Sequence, residues 1–593
     1  MTKFVSPVEQ GPRRLHWVVS AVVSVLPLVL TWPTLTWIEF SSDVENISVA
    51  TAREVRRTGN WLLPTLQGEP RVRKPPLTTW LTAASMRPWT LDGLTSADPQ
   101  ERDAARKSIL AEARWPSLIA SCLMIFAACE LGRLLLGPAG GPVTGLIAST
   151  SYLYFRYCGF AVTDVQLGLW STIGNVALAH VVFERGRWKA CLGAGTAIAL
   201  GFMSKGPIVL LLTIVPLIAF LAWRRWQLRP LASPRQSSLA LPAIVATVVA
   251  VTIGLSWFGF VFVRDPATVR TWWWEVTRSD PTETPTSRWF SYLAYLPAIA
   301  PWTVFLIGGI YDALLRTRGS DARGDERSAA RVVFALGMLV LPVVVMSFFR
   351  DRKVRYLYPL CVPGAVLAAH ALIGLARTAG SRWKRPVLGM HWALLTFVGL
   401  AFPLAAARGW PPFTTAEGAA WFSTRASAMI AMIVAVVLIT GGWFALAWRW
   451  RWATLVTTVL VMSVVRTFFA YGYREGEGKS QMMTLADLII ERYPDAEIYD
   501  VRDGRKRIPA DLSVYADRRL CTAKSVRAIR RSDRPQVYTA FQRRTEPEPS
   551  PERGWQYLAK GPRGDNWWVA FVRVPRLVET RSESKLDQVD ANP

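Results

Sequence analysis

Long apolar segments alternate with short polar loops along most of the chain. About thirteen of these segments have the roughly 17 to 25 residues that a helix needs to cross a bilayer. Their first residues are Leu15, Trp115, Pro142, Val165, Lys189, Ile208, Leu239, Phe290, Val332, Tyr356, Val387, Ala426 and Ala453. The pattern predicts an all-α polytopic membrane protein.

Composition and charge agree with a membrane protein, since 51% of the 593 residues are hydrophobic. The formal net charge of +26 would also suit a protein that binds nucleic acid. However, most Lys and Arg lie in short loops between apolar segments, as the positive-inside bias expects of cytoplasmic loops. We therefore expect contacts with membrane lipids and no nucleic acid partner.

Arginines also predict which side of the membrane each loop occupies. Arg13 and Arg14 precede the first span, which lacks a signal-peptide cleavage site, so we expect a cytoplasmic N-terminus. The loops that then fall inside are all rich in Arg and lie at 184–189, 224–230, 316–331, 377–386 and 448–452. The outer side receives the long loop 38–114 and the C-terminal segment.

The chain divides into a transmembrane domain, residues 1–470, and a polar C-terminal region. Within the first outer loop, 38–114, helical spacing predicts two helices that lie along the membrane surface and one solvated helix. These helices are expected at 47–59, where Gly59 ends the pattern, at 75–86, and at 97–109.

The C-terminal region changes from apolar spans to alternating helical and strand patterns. This alternation predicts a small extracytoplasmic α/β domain at 474–580, followed by a disordered tail at 581–593. The expected strands lie at 496–501, 536–541 and 566–574, and the expected helices lie at 485–493 and 524–531.

Cations on the outer side break the positive-inside pattern. Lys74 precedes two prolines, Lys205 lies in a turn between two spans, and the short loop 350–355 reads RDRKVR. One interpretation is that these side chains reach toward lipid phosphates at the interface. The other is a binding site for an anion, with phosphate as the natural ligand of converging Lys and Arg.

Carboxylates lie on the same predicted side as these cations. If Asp43 and Glu45 belong to an extended segment, residues two apart share a face and both acids point into one cavity. The alternative is that Asp43 caps the helix that follows. Asp164 lies between two apolar spans, where an unpaired carboxylate costs about 3 kcal/mol, so it needs a partner or a function.

The sequence contains no metal-ligand spacing among its four His. Two or three acids on one face would suit Mg²⁺ or Mn²⁺, but cationic side chains neutralise a phosphate without a metal. We therefore expect no obligatory ion.

A series of motifs covers roughly the first 365 residues. They are TAREV at 51–55, TGNWLLPTLQGEPRVRKPPLTTW at 58–80, EARWPSL at 112–118, TDVQL at 163–167, GFMSKGP at 201–207, SWFGF at 256–260, WWWEV at 272–276 and KVRYLYPLCVP at 353–363. In these motifs the chain resembles the polyprenyl-phosphate-sugar-dependent glycosyltransferases of the GT-C fold, particularly the lipid A aminoarabinose transferases and protein O-mannosyltransferases.

The sequence departs from the family's pattern in two places. The family usually has an adjacent Asp-Glu pair at the start of the first loop, whereas here Val44 occupies the Asp position, Glu45 matches the Glu, and Asp43 is displaced by one residue. The general base is therefore Asp43 or Glu45. In addition, 280–288 reads DPTETPTSR, where relatives often have a His-rich stretch.

The resemblance implies an integral membrane glycosyltransferase of the bacterial inner membrane, working as a monomer with its active site on the periplasmic side. It implies inverting transfer of a sugar from a polyprenyl phosphate to lipid A, another envelope glycan, or Ser or Thr of a protein. The implied catalytic residues are Asp43, Glu45 and Asp164; the implied phosphate ligands are Lys74, Lys205, Arg352, Lys353, Arg355 and Tyr356; and the implied sugar or acceptor contacts are Glu275, Arg288 and Trp80. A multi-span transporter or flippase is the alternative.

Overall fold

The computed structural model describes residues 13–36, 39–40, 43–184, 187–227, 240–277, 291–317, 326–349, 352–377, 384–408, 436, 439–441, 443, 453–476, 481–501, 510–543, 550–563 and 566–575. Arg288, the tail 581–593 and most of the span expected from Ala426 lie outside these residues. At Asp43 the backbone is described and the side chain is not.

Helices make up most of the described chain. The first half contains α1 (Arg13–Thr31), α2 (Asp43–Thr58), α3 (Leu77–Ser85), α4 (Pro88–Gly93), α5 (Pro99–Leu136), α6 (Gly140–Thr150), α7 (Tyr152–Tyr157), α8 (Thr163–Phe183), α9 (Arg187–Lys205), α10 (Ile208–Trp226), α11 (Ala240–Arg264) and α12 (Thr268–Thr277). The second half contains α13 (Tyr295–Ala298), α14 (Thr303–Thr317), α15 (Glu326–Ser347), α16 (Cys361–Arg377), α17 (Lys384–Arg408), α18 (Ala453–Gly476), α19 (Gln481–Arg492) and α20 (Asp511–Tyr515).

Seven of the described helices are long and apolar enough to cross a membrane, or eight if the bent pair Ser291–Ala298 and Thr303–Thr317 forms one span. These helices make the chain a polytopic membrane protein. The seven stretches are His16–Thr34, Pro99–Leu136, Thr163–Phe183, Ile208–Trp226, Ala240–Arg264, Arg327–Ser347 and Val354–Leu375. Helices also form near the spans expected from Pro142, Lys189, Val387 and Ala453.

The central helix is α5, which packs against α1, α6 and α8. Its first turn has the residues that favour a helix start, because Asp98 accepts a hydrogen bond from the Gln100 amide at 2.9 Å and Pro99 occupies the first helical position. The helix ends at Gly137, whose φ of +89° few other residues adopt readily. The solvated helix expected at 97–109 is therefore the beginning of this long helix.

A pair of buried tyrosines fixes the turn that precedes α16, the 3₁₀ segment Val354–Leu360. The rings of Tyr154 and Tyr358 stack with their centroids 5.8 Å apart. Both hydroxyls bond to Ser121 of α5, at 2.8 and 3.1 Å. These contacts hold the 3₁₀ segment against the core of the helical bundle.

Helix α2 confirms the helix expected at 47–59, and Gly59 ends it with a φ of +70°. Its apolar side does not lie on lipid, because Val49, Ala52 and Val55 are fully buried within the protein. The short helix α3 likewise confirms the helix expected at 75–86, and Pro76 precedes it.

The C-terminal region forms a five-stranded mixed sheet with the order β4-β3-β5-β7-β6. After the short hairpin β1 (Thr65–Leu66) and β2 (Glu69–Pro70) of the first outer loop, the strands are β3 (Glu497–Val501), β4 (Leu520–Ala523), β5 (Gln536–Arg543), β6 (Gln556–Arg563) and β7 (Asn566–Arg573). Strand β3 is parallel to β4 and β5, whereas β7 is antiparallel to β5 and β6.

The helix expected at 524–531 is wrong, since only one 3₁₀ turn, Val526–Ala528, forms there. Ile529 is buried in an apolar cluster of the sheet, and the carbonyls of Ile529 and Arg530 accept hydrogen bonds from Arg573 of β7 instead of continuing a helix. Strand β6 and helix α20 were not expected, because β6 contains Gly561 and Pro562 and α20 has only five residues.

The sheet and the first outer loop share one hydrophobic core, which joins side chains of α2, α3 and α5 to those of α19, α20 and β7. Two arginines of α5, Arg102 and Arg106, are buried and pair with Asp487 of α19. Burial raises the pKa of Tyr515 well above its usual value, so the neutral hydroxyl accepts from the Phe40 amide at 3.1 Å. The extent of the region as a separate domain, 474–580, stays a prediction.

Candidate functional site

Asp164 and Lys205 form a buried ion pair between the start of α8 and the end of α9. The Lys205 ammonium donates to Asp164 Oδ1, and the two side chains are only 3% and 1% exposed. Each charge also suits its helix terminus, since the N-terminal end favours an acid and the C-terminal end favours a cation. Gly206, with a φ of +78°, ends α9 directly after the lysine.

A second cation approaches the same carboxylate from the 3₁₀ segment before α16. Arg355 Nε lies 3.8 Å from Asp164 Oδ2, and Lys205 Nζ lies 4.2 Å from the centroid of the Tyr356 ring. We call Asp164, Lys205, Arg355 and Tyr356 the Asp164 cluster. In it two cations face a single carboxylate, and the aromatic face of Tyr356 adds a cation–π contact.

Lys74 belongs to another group of charges. Its ammonium donates to Glu275 Oε1 of α12, and Arg73 Nη2 lies 3.4 Å from Glu275 Oε2. We call Arg73, Lys74 and Glu275 the Glu275 cluster. Two cations again face one carboxylate. Lys74 and Glu275 are about 200 residues apart, so their pairing and the part that Arg73 takes in it do not follow from a local sequence pattern.

Three indole N–H groups hold the chain that leads to Lys74. Trp80 donates to the Trp61 carbonyl at 2.6 Å, and Trp257 donates to the Leu62 carbonyl at 2.8 Å. Trp272, one turn before Glu275, donates to the Val72 carbonyl at 2.8 Å. Trp80, expected to contact sugar or acceptor, therefore uses its N–H to fix the loop backbone.

The two clusters adjoin the same end of α9. Met203, two residues before Lys205, is buried in an apolar cluster with Trp257 and Val261 of α11. The side chains of Val72 and Trp80 pack on this apolar cluster. The loop that carries Lys74 therefore packs next to the helix terminus that carries Lys205.

Glu45 is fully buried and is held by Arg114 of α5. Arg114 donates from Nε to Oε1 at 2.8 Å and from Nη2 to Oε2 at 2.9 Å, and the Ala161 amide donates to Oε1 at 3.1 Å. This bidentate pair joins the start of α2 to the chain segment three residues before Asp164. Arg114 belongs to the motif EARWPSL, and only the structure shows its role as the partner of Glu45.

The expectation that Asp43 and Glu45 share a face is wrong. Both residues belong to α2, and residues two apart on a helix point in different directions. The alternative, that Asp43 caps this helix, stays a prediction, because the structure describes only the backbone of Asp43, the first residue of α2.

The remaining expected phosphate ligands lie in the same loop as Arg355. Arg352 Nε donates to the Ser347 carbonyl at 2.9 Å, and Lys353 is exposed. Within the described part of the chain, no three His, Cys, Asp or Glu side chains come together as metal ligands.

Comparison with known proteins gives a family match inside the helical region. Residues 107–257 match the family described as "Dolichyl-phosphate-mannose-protein mannosyltransferase". This segment contains Asp164, Lys205 and Arg114 but ends before Glu275 and Arg355.

Related sequences carry the name "Undecaprenyl phosphate-alpha-4-amino-4-deoxy-L-arabinose arabinosyl transferase". One, from Pseudomonas aeruginosa strain LESB58, is 29% identical over 304 residues, which are 49% of this chain and 51% of the relative. Another, from Edwardsiella ictaluri, is 26% identical over 462 residues, which are 75% of this chain and 76% of the relative. The chain thus spans about half the length of the first of these relatives.

Two solved structures share the architecture of most of the chain. ArnT from Cupriavidus metallidurans bound to undecaprenyl phosphate has a TM-score of 0.69 at 17% identity, and the match covers 95% of this chain and 98% of ArnT. The apo form of the same protein has a TM-score of 0.70 at 16% identity, with the same coverage. The chain has the GT-C fold. The fold expected from the sequence is thereby confirmed, and in it Asp164, Lys205 and Arg355 meet at the ends of neighbouring elements.

Replacing Glu45 by Gln should destabilise the protein. The change leaves the buried Arg114 guanidinium without its counter-charge, which costs about 3–5 kcal/mol. Thermal unfolding of the detergent-solubilised protein measures the effect. Asp92→Asn is the matched control, because it breaks an exposed pair with Arg57 worth about 0–1 kcal/mol. Equal melting of Glu45→Gln and wild type would contradict a structural role for Glu45.

Proposed function

We propose that the protein is an integral membrane glycosyltransferase that moves a sugar from a polyprenyl phosphate to an acceptor outside the cytoplasm. The single observation that carries the proposal is the Asp164 cluster, a buried carboxylate with Lys205 and Arg355 beside it, on a GT-C scaffold. Asp164 lies in the first turn of a helix of 21 residues that is long enough to cross a membrane, which favours a site at one membrane face and hence a transferase over a transporter, whose ligand sites lie near the middle of the membrane.

The charges of the two clusters suit a phosphate that becomes more negative during the reaction. A sugar phosphodiester carries a single negative charge, whereas the departing polyprenyl phosphate carries about −1.5 to −2 at pH 7. Each cluster contains one more cation than carboxylates among its named members. An excess of positive charge interacts more strongly with the leaving group than with the donor. It therefore lowers the activation barrier.

We assign the phosphate contacts to Lys205, Arg355 and Lys74, with Tyr356 aligning the first two. Asp164 and Glu275 hold the lysines in place before the donor arrives, because long cationic side chains otherwise sample many rotamers. Arg352 and Lys353 supply further positive charge at the same loop. We keep Arg288 as a contact of the sugar or acceptor. Trp80 contributes to the same site by holding the backbone of the loop in place.

The general base in this mechanism is Asp43. Glu45 is engaged by Arg114 through both oxygens, so it is poorly suited to take a proton from an acceptor. Asp43 is the first residue of α2, two residues before Glu45, and the Glu45–Arg114 pair fixes this end of the helix. Glu45 is then a positioning residue for Asp43.

The names of the relatives support a specific donor, and the resemblance of the sequence motifs to lipid A aminoarabinose transferases supports the acceptor. We propose an undecaprenyl-phosphate-linked amino sugar as the donor and lipid A as the acceptor, in the bacterial inner membrane. The finer topology belongs to the same proposal: about thirteen spans, a cytoplasmic N-terminus, and the C-terminal sheet outside the cytoplasm. Mass spectrometry of envelope lipids and proteins, from cells with and without the gene, tests the acceptor. A gene-dependent sugar on lipid A supports the proposal, and one on protein instead overturns the acceptor.

Lys205→Gln should reduce sugar transfer by about 100-fold or more, since a preorganised charge donor to a developing anion contributes that much. The lipid modification per unit of membrane protein is the measurement. Lys189→Gln, an exposed lysine in the first turn of the same helix, is the matched control and should transfer normally.

The double variant Asp164→Asn/Lys205→Gln separates catalysis from folding. It removes both members of the buried pair, so its stability should exceed that of Lys205→Gln, in which the buried Asp164 carboxylate keeps only Arg355, 3.8 Å away, as a counter-charge. Its transfer rate should stay low. Recovery of transfer together with stability would contradict a role of Lys205 at the phosphate.

Asp43→Asn should abolish transfer with little change in melting temperature, because a neutral amide cannot accept the proton. Glu45→Gln, by contrast, should lower both stability and transfer. Measuring the melting temperature and the lipid modification for both variants ranks the two acids. An active Asp43→Asn protein would return the role of base to Glu45.

A further inference from the structure

Two adjacent buried residues of α2 reach in different directions. Arg53 Nε donates to Asp517 Oδ1 at 2.6 Å, in the segment that leads into β4 of the C-terminal sheet. Glu54 accepts from the Thr65 hydroxyl at 2.8 Å and from the Gln67 and Gly68 amides at 2.6 and 3.1 Å. The C-terminal sheet and the β1–β2 hairpin are therefore held by neighbouring positions of one helix.

The same sheet also touches the hairpin directly. Gln67 and Gly68 form its turn with φ values of +58° and +73°, as in the tight turns that join two antiparallel strands. The guanidinium of Arg519 lies against Gly68, in the space that a Cβ atom at this position would fill. Arg519 lies two residues after Asp517, so one short segment of the sheet makes both contacts.

The hairpin cannot be rigid by itself. Its strands have two residues each, and an isolated two-stranded hairpin is marginally stable at best. Directly after it, the Arg71 amide donates to the Pro64 carbonyl at 2.8 Å, and Trp272 donates to the Val72 carbonyl. Lys74 follows two residues later. Contacts that fix the hairpin thus also limit where the Lys74 ammonium lies.

We propose that the C-terminal sheet is a brace for the β1–β2 hairpin and that Asp517 and Arg519 are positioning residues for Lys74. The contacts of the described residues support the brace itself. The effect of the brace on catalysis rests on the proposed function of Lys74 at the donor phosphate. The brace gives the C-terminal region a role in donor binding although it lies away from both charge clusters along the chain.

Gly68→Ala tests the brace, because its methyl group displaces the Arg519 guanidinium. The matched control is Gly59→Ala, which imposes the same backbone strain at a φ of +70° but meets no atom within 4 Å. Arg519→Ala removes the guanidinium from the other side and leaves the hairpin sequence intact. The side chain is exposed, so we expect this variant to fold.

The first readout is hydrogen exchange of the full-length protein in detergent, followed in peptides that cover 63–73. We expect at least tenfold faster exchange of the Gln67 and Gly68 amides in Gly68→Ala and Arg519→Ala, and wild-type exchange in Gly59→Ala. The double variant Gly68→Ala/Arg519→Ala should exchange no faster than Gly68→Ala alone, because both changes remove the same contact. Wild-type exchange at the hairpin in both single variants overturns the brace.

The second readout is the transfer reaction with a purified polyprenyl-phosphate-linked amino sugar as the varied substrate. We expect the KM for this donor to rise at least fivefold in Gly68→Ala and Arg519→Ala, with a smaller change in kcat and no change in Gly59→Ala. Faster exchange with an unchanged donor KM overturns the positioning of Lys74. If exchange is faster in the two variants but the wild-type protein transfers no sugar, the proposed function is contradicted and the brace is still supported.

Discussion

The buried pair of Asp164 and Lys205 is the interaction on which the site depends. A carboxylate or an ammonium taken out of water without a partner costs several kcal/mol, so neither side chain tolerates burial alone. The requirement brings the first turn of α8 and the last turn of α9 together. The 3₁₀ segment before α16 also packs beside this pair, since its Arg355 lies next to Asp164 and its Tyr356 ring lies next to Lys205.

Similar constraints hold the first outer loop around this pair. The bidentate contact of Arg114 with Glu45 fixes the start of α2 beside the entry to α8. Indole N–H groups from α3, α11 and α12 each donate to a loop carbonyl. The two-residue strands β1 and β2 leave these carbonyls without a backbone partner, and the indoles supply one. The segment between α2 and α3, residues 59–76, has regular structure only in the short strands β1 and β2, so side-chain contacts hold it, and residues far away in sequence position its lysine, Lys74.

Local features of the chain predicted the local features of the fold. Gly59 and the 3.6-residue pattern predicted α2, Pro76 predicted the start of α3, and alternating apolar residues predicted β3, β5 and β7. The family motifs predicted the GT-C fold. Pairings could not be predicted in this way, because nothing near Glu45 in sequence indicates Arg114, and nothing near Lys74 indicates Glu275. The same limit applies to α2. Its pattern predicts an apolar face but not what covers that face, and the covering side chains belong to the C-terminal region, about 430 residues further along the chain.

The central claim is that the basic groups of the Asp164 and Glu275 clusters receive a lipid-borne phosphate. A structure of the protein with bound undecaprenyl phosphate, in a lipid nanodisc, tests it most directly. We expect phosphate oxygens within hydrogen-bond distance of Lys205 or Arg355, with Lys74 on the side of the Glu275 cluster. A phosphate bound away from all three of these side chains would contradict it.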